Sequence, residues 1–241
     1  MVAVPEHERR RLESIADDAQ PLDGLIQRRL GGEPLQYIEG TAAFGPLTLD
    51  VDPRVLIPRP ETERLFEIAA GMVRSPEVLV DLCTGSGALA LALKREFPGS
   101  AVFATDISPE AVEVANENRD KTRLPIYIAE GDLFDPLPAS LLGSVDLIVA
   151  NPPYVAEVEF SDLPRDVQQE PRMALVAGPS GLEVIQRIGV DAAQWLRPGG
   201  VIVCEIGETQ GVSATSSFVD LPAVVRQDLT GRDRYVVAVK P

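Results

Sequence analysis

Val78-Leu-Val-Asp-Leu-Cys-Thr-Gly-Ser-Gly87 decides the fold of this chain. Val78 to Leu82 is apolar and strand-like. Gly85-Ser-Gly87 makes a turn, and Ala88-Leu-Ala-Leu-Ala-Leu-Lys94 is composed of helix formers. Strand, small-residue turn and helix in that order open a nucleotide-binding βα unit. Small residues let the backbone approach a ligand, and the helix presents its positive end. The third glycine of the dinucleotide fingerprint would fall near Ala90, and the fingerprint also permits alanine there.

Outward from this stretch the rhythm repeats. Ala101 to Thr105 is a second strand ending in Asp106, and Ser108-Pro109 supplies an N-cap and an N1 proline for a helix to about Asn118. Pro125 to Ala129 is a third strand, closed by Glu130-Gly-Asp132, and Val145 to Ala150 is a fourth. Residues 180 to 196 read as a helix, and Gly199-Gly200 turns into strand Val201 to Ile206. A helix over 208 to 219 follows, then Val224 to Leu229 and Tyr235 to Val239 as a last β pair turning at Gly231 to Arg234. Parallel βα repetition closed by a hairpin predicts an α/β, doubly wound Rossmann-like sheet with an antiparallel C-terminal edge. Residues 155 to 179 lack periodicity and read as a long functional connection.

Upstream, residues 6 to 30 predict short helices broken near Gln20-Pro21 and stopped by Gly31-Gly32. Ala43 to Val51 predicts a β-hairpin turning at Gly45-Pro46. Two prolines hold Val55 to Pro60 extended, and Glu61 or Thr62 starts a helix to about Val73.

The chain has 241 residues, enough for one large domain or a domain with an appendage. Acidic residues outnumber basic ones 37 to 22, for a net charge of -15. That field repels phosphate backbones and anionic membranes and favours a basic protein partner. A single histidine, His7, excludes a histidine general base, a zinc cluster and a Ser-His-Asp triad, so no metal is expected. Cys83 and Cys204 sit in apolar segments without metal-site spacing, which suits a reduced, cytoplasmic protein. No signal peptide is read at Met1-Val-Ala-Val-Pro5, and no apolar run approaches the roughly 20 residues that span a bilayer.

Four strand ends carry the chemistry. Asp106 is placed to accept from both ribose hydroxyls of an adenosine, and Asp132 from an adenine amino group. Asp81 suits the ammonium of a sulfonium cofactor's amino acid moiety better than a pyrophosphate. At the fourth end, Asn151-Pro-Pro-Tyr154 stops the strand, because its prolines donate no ladder hydrogen bonds. It leaves an amide side chain, a carbonyl and an aromatic ring at the edge where open α/β sheets bind ligands.

Asp81 to Gly87, Asp106, Gly131-Asp132 and Asn151 to Tyr154 resemble the motifs of class I S-adenosylmethionine-dependent methyltransferases that alkylate a planar nitrogen. Ile57-Pro-Arg-Pro-Glu-Thr-Glu63, Glu170-Pro-Arg-Met-Ala-Leu175 with Gly178 to Leu182, and Asp228-Leu-Thr-Gly-Arg-Asp-Arg234 narrow this. Together they resemble the HemK/PrmC family, the glutamine N5-methyltransferases of peptide chain release factors, from about Gly32 to the C-terminus. The resemblance implies S-adenosylmethionine as cofactor and a release factor as protein partner. It implies that Asp81 and the Gly85 and Gly87 backbone hold the methionyl part, Asp106 the ribose, and Asp132 with the Leu133 backbone the adenine. Asn151, at the cofactor's edge, and Pro152 would hold the target amide, with Tyr154 packed against it. Pro58, Arg59, Glu61, Thr62 and Pro153 would line the substrate mouth. The expected organisation is a short helical appendage over 1–33, a hairpin and linker over 34–61, and the methyltransferase domain over 62–241. Two departures stand out: only the residues up to Gly32 precede Glu33-Pro-Leu-Gln-Tyr37, shorter than the family's helical recognition domain, and Cys83 stands where glycine is more usual.

The implied reaction is direct SN2 methyl transfer with no covalent enzyme intermediate. The Asn151 side-chain oxygen and the Pro152 carbonyl would accept the two amide protons and stabilise charge growing on nitrogen. The same clamp would suit the exocyclic amine of adenine in DNA or RNA. That reaction needs a basic path for phosphates, and Arg9-Arg-Arg11 with Arg28-Arg29, the best candidate, reads as a solvated helix face. A cofactor-binding protein without catalysis is a third reading, opposed by the intact Asn151 to Tyr154 and Asp106.

Overall fold

The computed structural model describes residues 4–241; the reading made at Met1-Val-Ala lies outside the described residues. Three short helices come first: α1 (Glu6–Ile15), α2 (Leu22–Leu30) and α3 (Leu35–Glu39). Leu12, Leu25, Leu35 and Ile38 close a small core among them. Strands β1 (Thr41–Phe44) and β2 (Leu47–Asp50) form the expected hairpin, and α4 (Pro60–Met72) follows.

The alternation of strand and helix then runs as β3 (Val78–Leu82), α5 (Ala88–Glu96), β4 (Ala101–Asp106), α6 (Pro109–Thr122), β5 (Tyr127–Glu130) and β6 (Val145–Ala150). After it come β7 (Val155–Ala156), α7 (Arg172–Leu175), β8 (Val176–Gly178), α8 (Glu183–Trp195) and β9 (Leu196–Glu205). The chain ends with α9 (Gly211–Thr215), β10 (Ala223–Gln227) and β11 (Asp233–Val239).

All six residues of β6 are buried, as expected of a strand covered on both faces by the helices of parallel crossovers. The main sheet has the order β10-β11-β9-β6-β3-β4-β5. β9, β6, β3, β4 and β5 pair in parallel, and β11 runs antiparallel to both β9 and β10. From β3 the chain builds outward through β4 and β5, then returns to lay β6 on the other side. The β3–β6 pair, with Leu82 opposite Ala150, is therefore the topological switch point, where the carboxyl ends of strands open a crevice. Leu79, Leu147 and Val149 pack on one face with Leu65 of α4 and Leu91 of α5. Val80, Leu82 and Ile148 pack on the other with Ile185, Ile188 and Trp195 of α8.

The structure departs from the sequence expectations in three local places. Leu35 to Glu39, expected as part of the hairpin and linker, is helical, with Leu35 and Ile38 buried against α1 and α2 and Tyr37 against Val51, Val55 and Ile57, and Gly40 ends it at φ 71°. Helix α4 starts at Pro60 after an extended Arg59, because proline is preorganised for the first helical position; neither Glu61 nor Thr62 caps it. The expected helix over 208 to 219 contracts to α9. Between 155 and 179 the chain is ordered by the short parallel pair β7–β8 and by 3-10 turns at Glu157–Asp162 and Val167–Gln169.

Candidate active site

The loop after β3 reverses direction through three left-handed residues, Cys83 (φ 58°), Gly85 (φ 55°) and Gly87 (φ 83°). At Cys83 a side chain sits in a conformation that glycine adopts without strain, at the position where the resembling family more usually has glycine. Gly87 also has a packing role, since a Cβ there would lie 3.4 Å from the Ala115 Cβ of α6. The Gly85 N–H donates to Asp106 Oδ2 at 2.8 Å, and the Ser108 N–H donates to Oδ1 at 3.0 Å. Burial raises the Asp106 carboxyl above its ordinary value, partly offset by these backbone donors.

Asp81 does not line the crevice directly. It is fully buried and lies beneath the loop rather than on the crevice wall. Its Oδ2 accepts from the Thr84 hydroxyl at 2.6 Å and the Ala90 N–H at 3.1 Å, which pins the loop to the start of α5. Oδ1 is buried without a hydrogen-bond partner among the described residues. Burial pushes the carboxyl up to about 7.

A cavity of about 360 Å³ opens over these strand ends. Of the residues expected to form the site, Gly85, Asp106, Asp132, Leu133, Asn151, Pro58, Thr62 and Pro153 lie on its wall. Gly87, Pro152, Tyr154, Arg59 and Glu61 lie off it. Asp132 Oδ2 accepts from Arg187 Nη2 of α8 at 2.7 Å, so an arginine that no local pattern signalled joins the wall. Arg59 turns away to an ion pair with the buried Glu170, whose other oxygen accepts from the Ile57 N–H at 2.9 Å. That carboxylate clasps the strap before α4 to the segment carrying Met173 and Ala174, which also line the cavity. Glu61 contributes its carbonyl, which accepts from the Tyr235 hydroxyl at 2.8 Å.

Asn151, at the end of β6, donates from Nδ2 to Thr62 Oγ1 at 3.0 Å. The Thr62 hydroxyl donates to Glu205 Oε2 at 2.9 Å, and the Tyr154 hydroxyl reaches Glu205 Oε1 at 3.4 Å. The Tyr154 carbonyl is held by Gln210 Nε2 at 2.8 Å. Glu205, 1% exposed at the end of β9, thus underlies the whole Asn151–Tyr154 stretch, and burial pushes its carboxyl up to about 7. Sequence reading did not single it out. Its signal was an acidic residue closing an otherwise apolar strand, the same signal that marked Asp106.

The Methyltransferase small domain family model matches residues 69–177. The release factor glutamine methyltransferase of Mycolicibacterium smegmatis is 43% identical over 234 residues, covering 93% of this chain and 83% of the relative. That of Vibrio cholerae is 42% identical over 225 residues, covering 90% and 77%. The chain belongs to the release factor glutamine methyltransferase family. A methyltransferase from Pyrococcus furiosus shares the family's fold with a TM-score of 0.62 at 17% identity, over 82% of this chain and 91% of that one. A Thermus thermophilus 16S rRNA N2 G1207 methyltransferase does so with a TM-score of 0.61 at 22% identity, over 83% and 50%. An enzyme named for RNA thus shares this architecture, so the fold alone does not choose the substrate, which must be argued from the site.

Proposed function

We propose that this chain methylates the side-chain nitrogen of a glutamine in a peptide chain release factor, with S-adenosylmethionine as methyl donor. The observation that carries this reading is the orientation of Asn151. Its Nδ2 is tied back to Thr62, so the amide oxygen is the free end of a side chain on the cavity wall. A free carbonyl-type acceptor suits an incoming NH2 group.

The residues present fit the cofactor. The Asp106 carboxylate, on the wall and held by two backbone N–H groups, retains lone pairs for ribose hydroxyls. Asp132 and the Leu133 backbone, both on the wall, offer a carboxylate and main-chain groups that would suit an adenine ring, with Arg187 bracing Asp132. Gly85 has open space where a Cβ would be, so its backbone is accessible to the methionyl part, and the orphaned Asp81 Oδ1 beneath the loop favours a cationic neighbour. Bound there, S-adenosylmethionine supplies an electrophilic methyl group on a sulfonium.

A carboxamide nitrogen is a weak nucleophile because its lone pair is delocalised. The Asn151 oxygen accepts one of its protons and stabilises positive charge as the N–C bond forms; the Pro152 carbonyl, off the cavity wall before substrate is seated, would take the second and fix the NH2 plane. Tyr154, anchored at both its hydroxyl and its carbonyl, backs the stretch from behind the wall.

The charge pattern supports a protein rather than a nucleic acid substrate. The net charge is -15, and all five arginines of the best basic candidate are paired: Arg9 with Glu13, Arg10 with Glu6, Arg11 with Glu39, Arg28 with Glu33 and Arg29 with Glu8. An acidic surface attracts a basic protein. No helix of the described residues is long and apolar enough to cross a membrane.

The test is methyl transfer from labelled S-adenosylmethionine to a purified release factor, with mass spectrometry of the labelled peptide. Label on a glutamine is expected; label entering nucleic acid from a matched extract instead would overturn the reading. Asn151→Ala is expected to lower the rate at least 100-fold while calorimetric affinity for S-adenosylmethionine stays within about threefold. A rate within threefold of wild type removes the amide clamp.

A further inference from the structure

Asn151 poses a problem that shape cannot solve. The two ends of a carboxamide are nearly the same size, so packing does not choose which faces the cavity; hydrogen bonds do. Only one orientation presents an acceptor to an NH2 group. The other opposes donor to donor.

We propose that Glu205 is a positioning residue whose carboxylate, acting through the Thr62 hydroxyl, fixes the Asn151 amide with its oxygen toward the cavity and, through the Tyr154 hydroxyl, holds the ring beside it. The proposal rests on the methyl-transfer reading above. An ionised carboxylate only accepts. Its Oε2 therefore takes the single proton of Thr62 Oγ1 at 2.9 Å. With that proton committed, Thr62 can only accept from Asn151, and Nδ2 at 3.0 Å is the group that donates. Oε1 takes the Tyr154 proton in the same way. A neutral Glu205 can donate to Thr62 instead. The Thr62 proton then points at Asn151, which must turn its oxygen inward and its Nδ2 to the cavity.

The surroundings place this choice at a burial-sensitive carboxylate. Glu205 is faced by Glu61 and Thr62 of α4, by Tyr154 after β6, and by Arg234 and Tyr235 of β11, with Cys204 its neighbour on β9. Arg234 favours the ionised form, and Glu61 opposes it. Burial outweighs both and brings the group to about 7, so both states are within reach near neutrality.

Two measurements test the proposal, one of which needs no substrate. The Asn151 side-chain NH2 signals, assigned by their loss in Asn151→Asp, are followed by NMR from about pH 5.5 to 8.5. A transition near 7 is expected in the wild type and in Thr62→Ser, and none in Glu205→Gln. The same transition persisting in Glu205→Gln overturns the proposal. In the methyl-transfer assay, Thr62→Val is expected to lower kcat about tenfold or more, with S-adenosylmethionine affinity within threefold and an unchanged far-ultraviolet spectrum. Thr62→Ser, which restores the hydroxyl, is expected to return kcat to within threefold, and the acid limb of the wild-type profile is expected to vanish in Glu205→Gln. A Thr62→Val kcat within threefold of wild type overturns the relay. Absence of transfer to a release factor by the wild type instead overturns the substrate reading, and the amide titration still decides the relay.

Discussion

Glu205→Gln is expected to stabilise this protein at alkaline pH and not at acid pH. The side chain is 1% exposed, and burial raises its carboxyl from an ordinary 4.5 to about 7. Because the folded value lies above the unfolded one, the folded state keeps its proton to higher pH than the unfolded chain does. The associated stability is present in full below about 4.5 and is lost as pH rises through about 7. At about 1.4 kcal/mol per pH unit, the loss across that window is roughly 3 kcal/mol, most of it between about pH 5 and 7. Glutamine has nearly the same shape and nothing to ionise. Urea unfolding of both proteins at about pH 5, 6, 7 and 8 measures the difference, and subtraction cancels groups common to both, including Asp81. The glutamine variant is expected to gain roughly 2 to 3 kcal/mol relative to wild type between the ends of that series. A gap that stays constant within about 0.5 kcal/mol would refute the reasoning, because Glu205 would then carry no buried charge in the neutral range. The expected gain comes with impaired methyl transfer, the usual relation between a costly buried charge and function.

Two further outcomes bear on the cavity. Asp106→Ala removes charged acceptors and frees the Gly85 N–H, so calorimetric affinity for S-adenosylmethionine is expected to fall about 10- to 100-fold; unchanged affinity would remove Asp106 from the site. Gly181→Ala would set a Cβ 2.5 Å from the Tyr154 carbonyl oxygen at a φ of 78°, so a loss of about 2 kcal/mol or more in urea unfolding is expected, together with slower transfer. An alanine variant with wild-type stability and rate would show that the Tyr154 backbone has room to move.

Where the sequence was legible, the signals were local. Val78 to Gly87 carries a strand and the turn into a helix within ten residues, and Asp106, Asp132 and Asn151 are ends of apolar runs, so the sheet and these three groups on the cavity wall follow from pattern. The burial of Asp81 was not legible, because a strand-end carboxylate reads as open to ligand until the loop is seen folding back over it. Thr62 and Glu205 are 143 positions apart, and Arg59 and Glu170 are 111 apart. No periodicity joins residues at such separations; the first contact arises when α4 packs across β9, and the second when the strap before α4 meets the segment before α7. Leu35 to Glu39 became helix because a single turn sends Leu35 and Ile38 into the core of the first helices and Tyr37 onto Val51, Val55 and Ile57, a tertiary preference that outweighs the β propensity of Tyr and Ile.

Helix α4 has a consequence for how this enzyme is partitioned. The family model begins at residue 69, inside α4, yet Thr62 lies seven positions before it and Pro58 earlier still. A fragment cut where the recognisable fold begins would keep Asp106 and Asn151 and lose the hydroxyl that orients the amide. The heritable unit of this chemistry is therefore longer than the unit of architecture. Recombination at the fold's edge would pass on a nucleotide cleft without the strap that aims it.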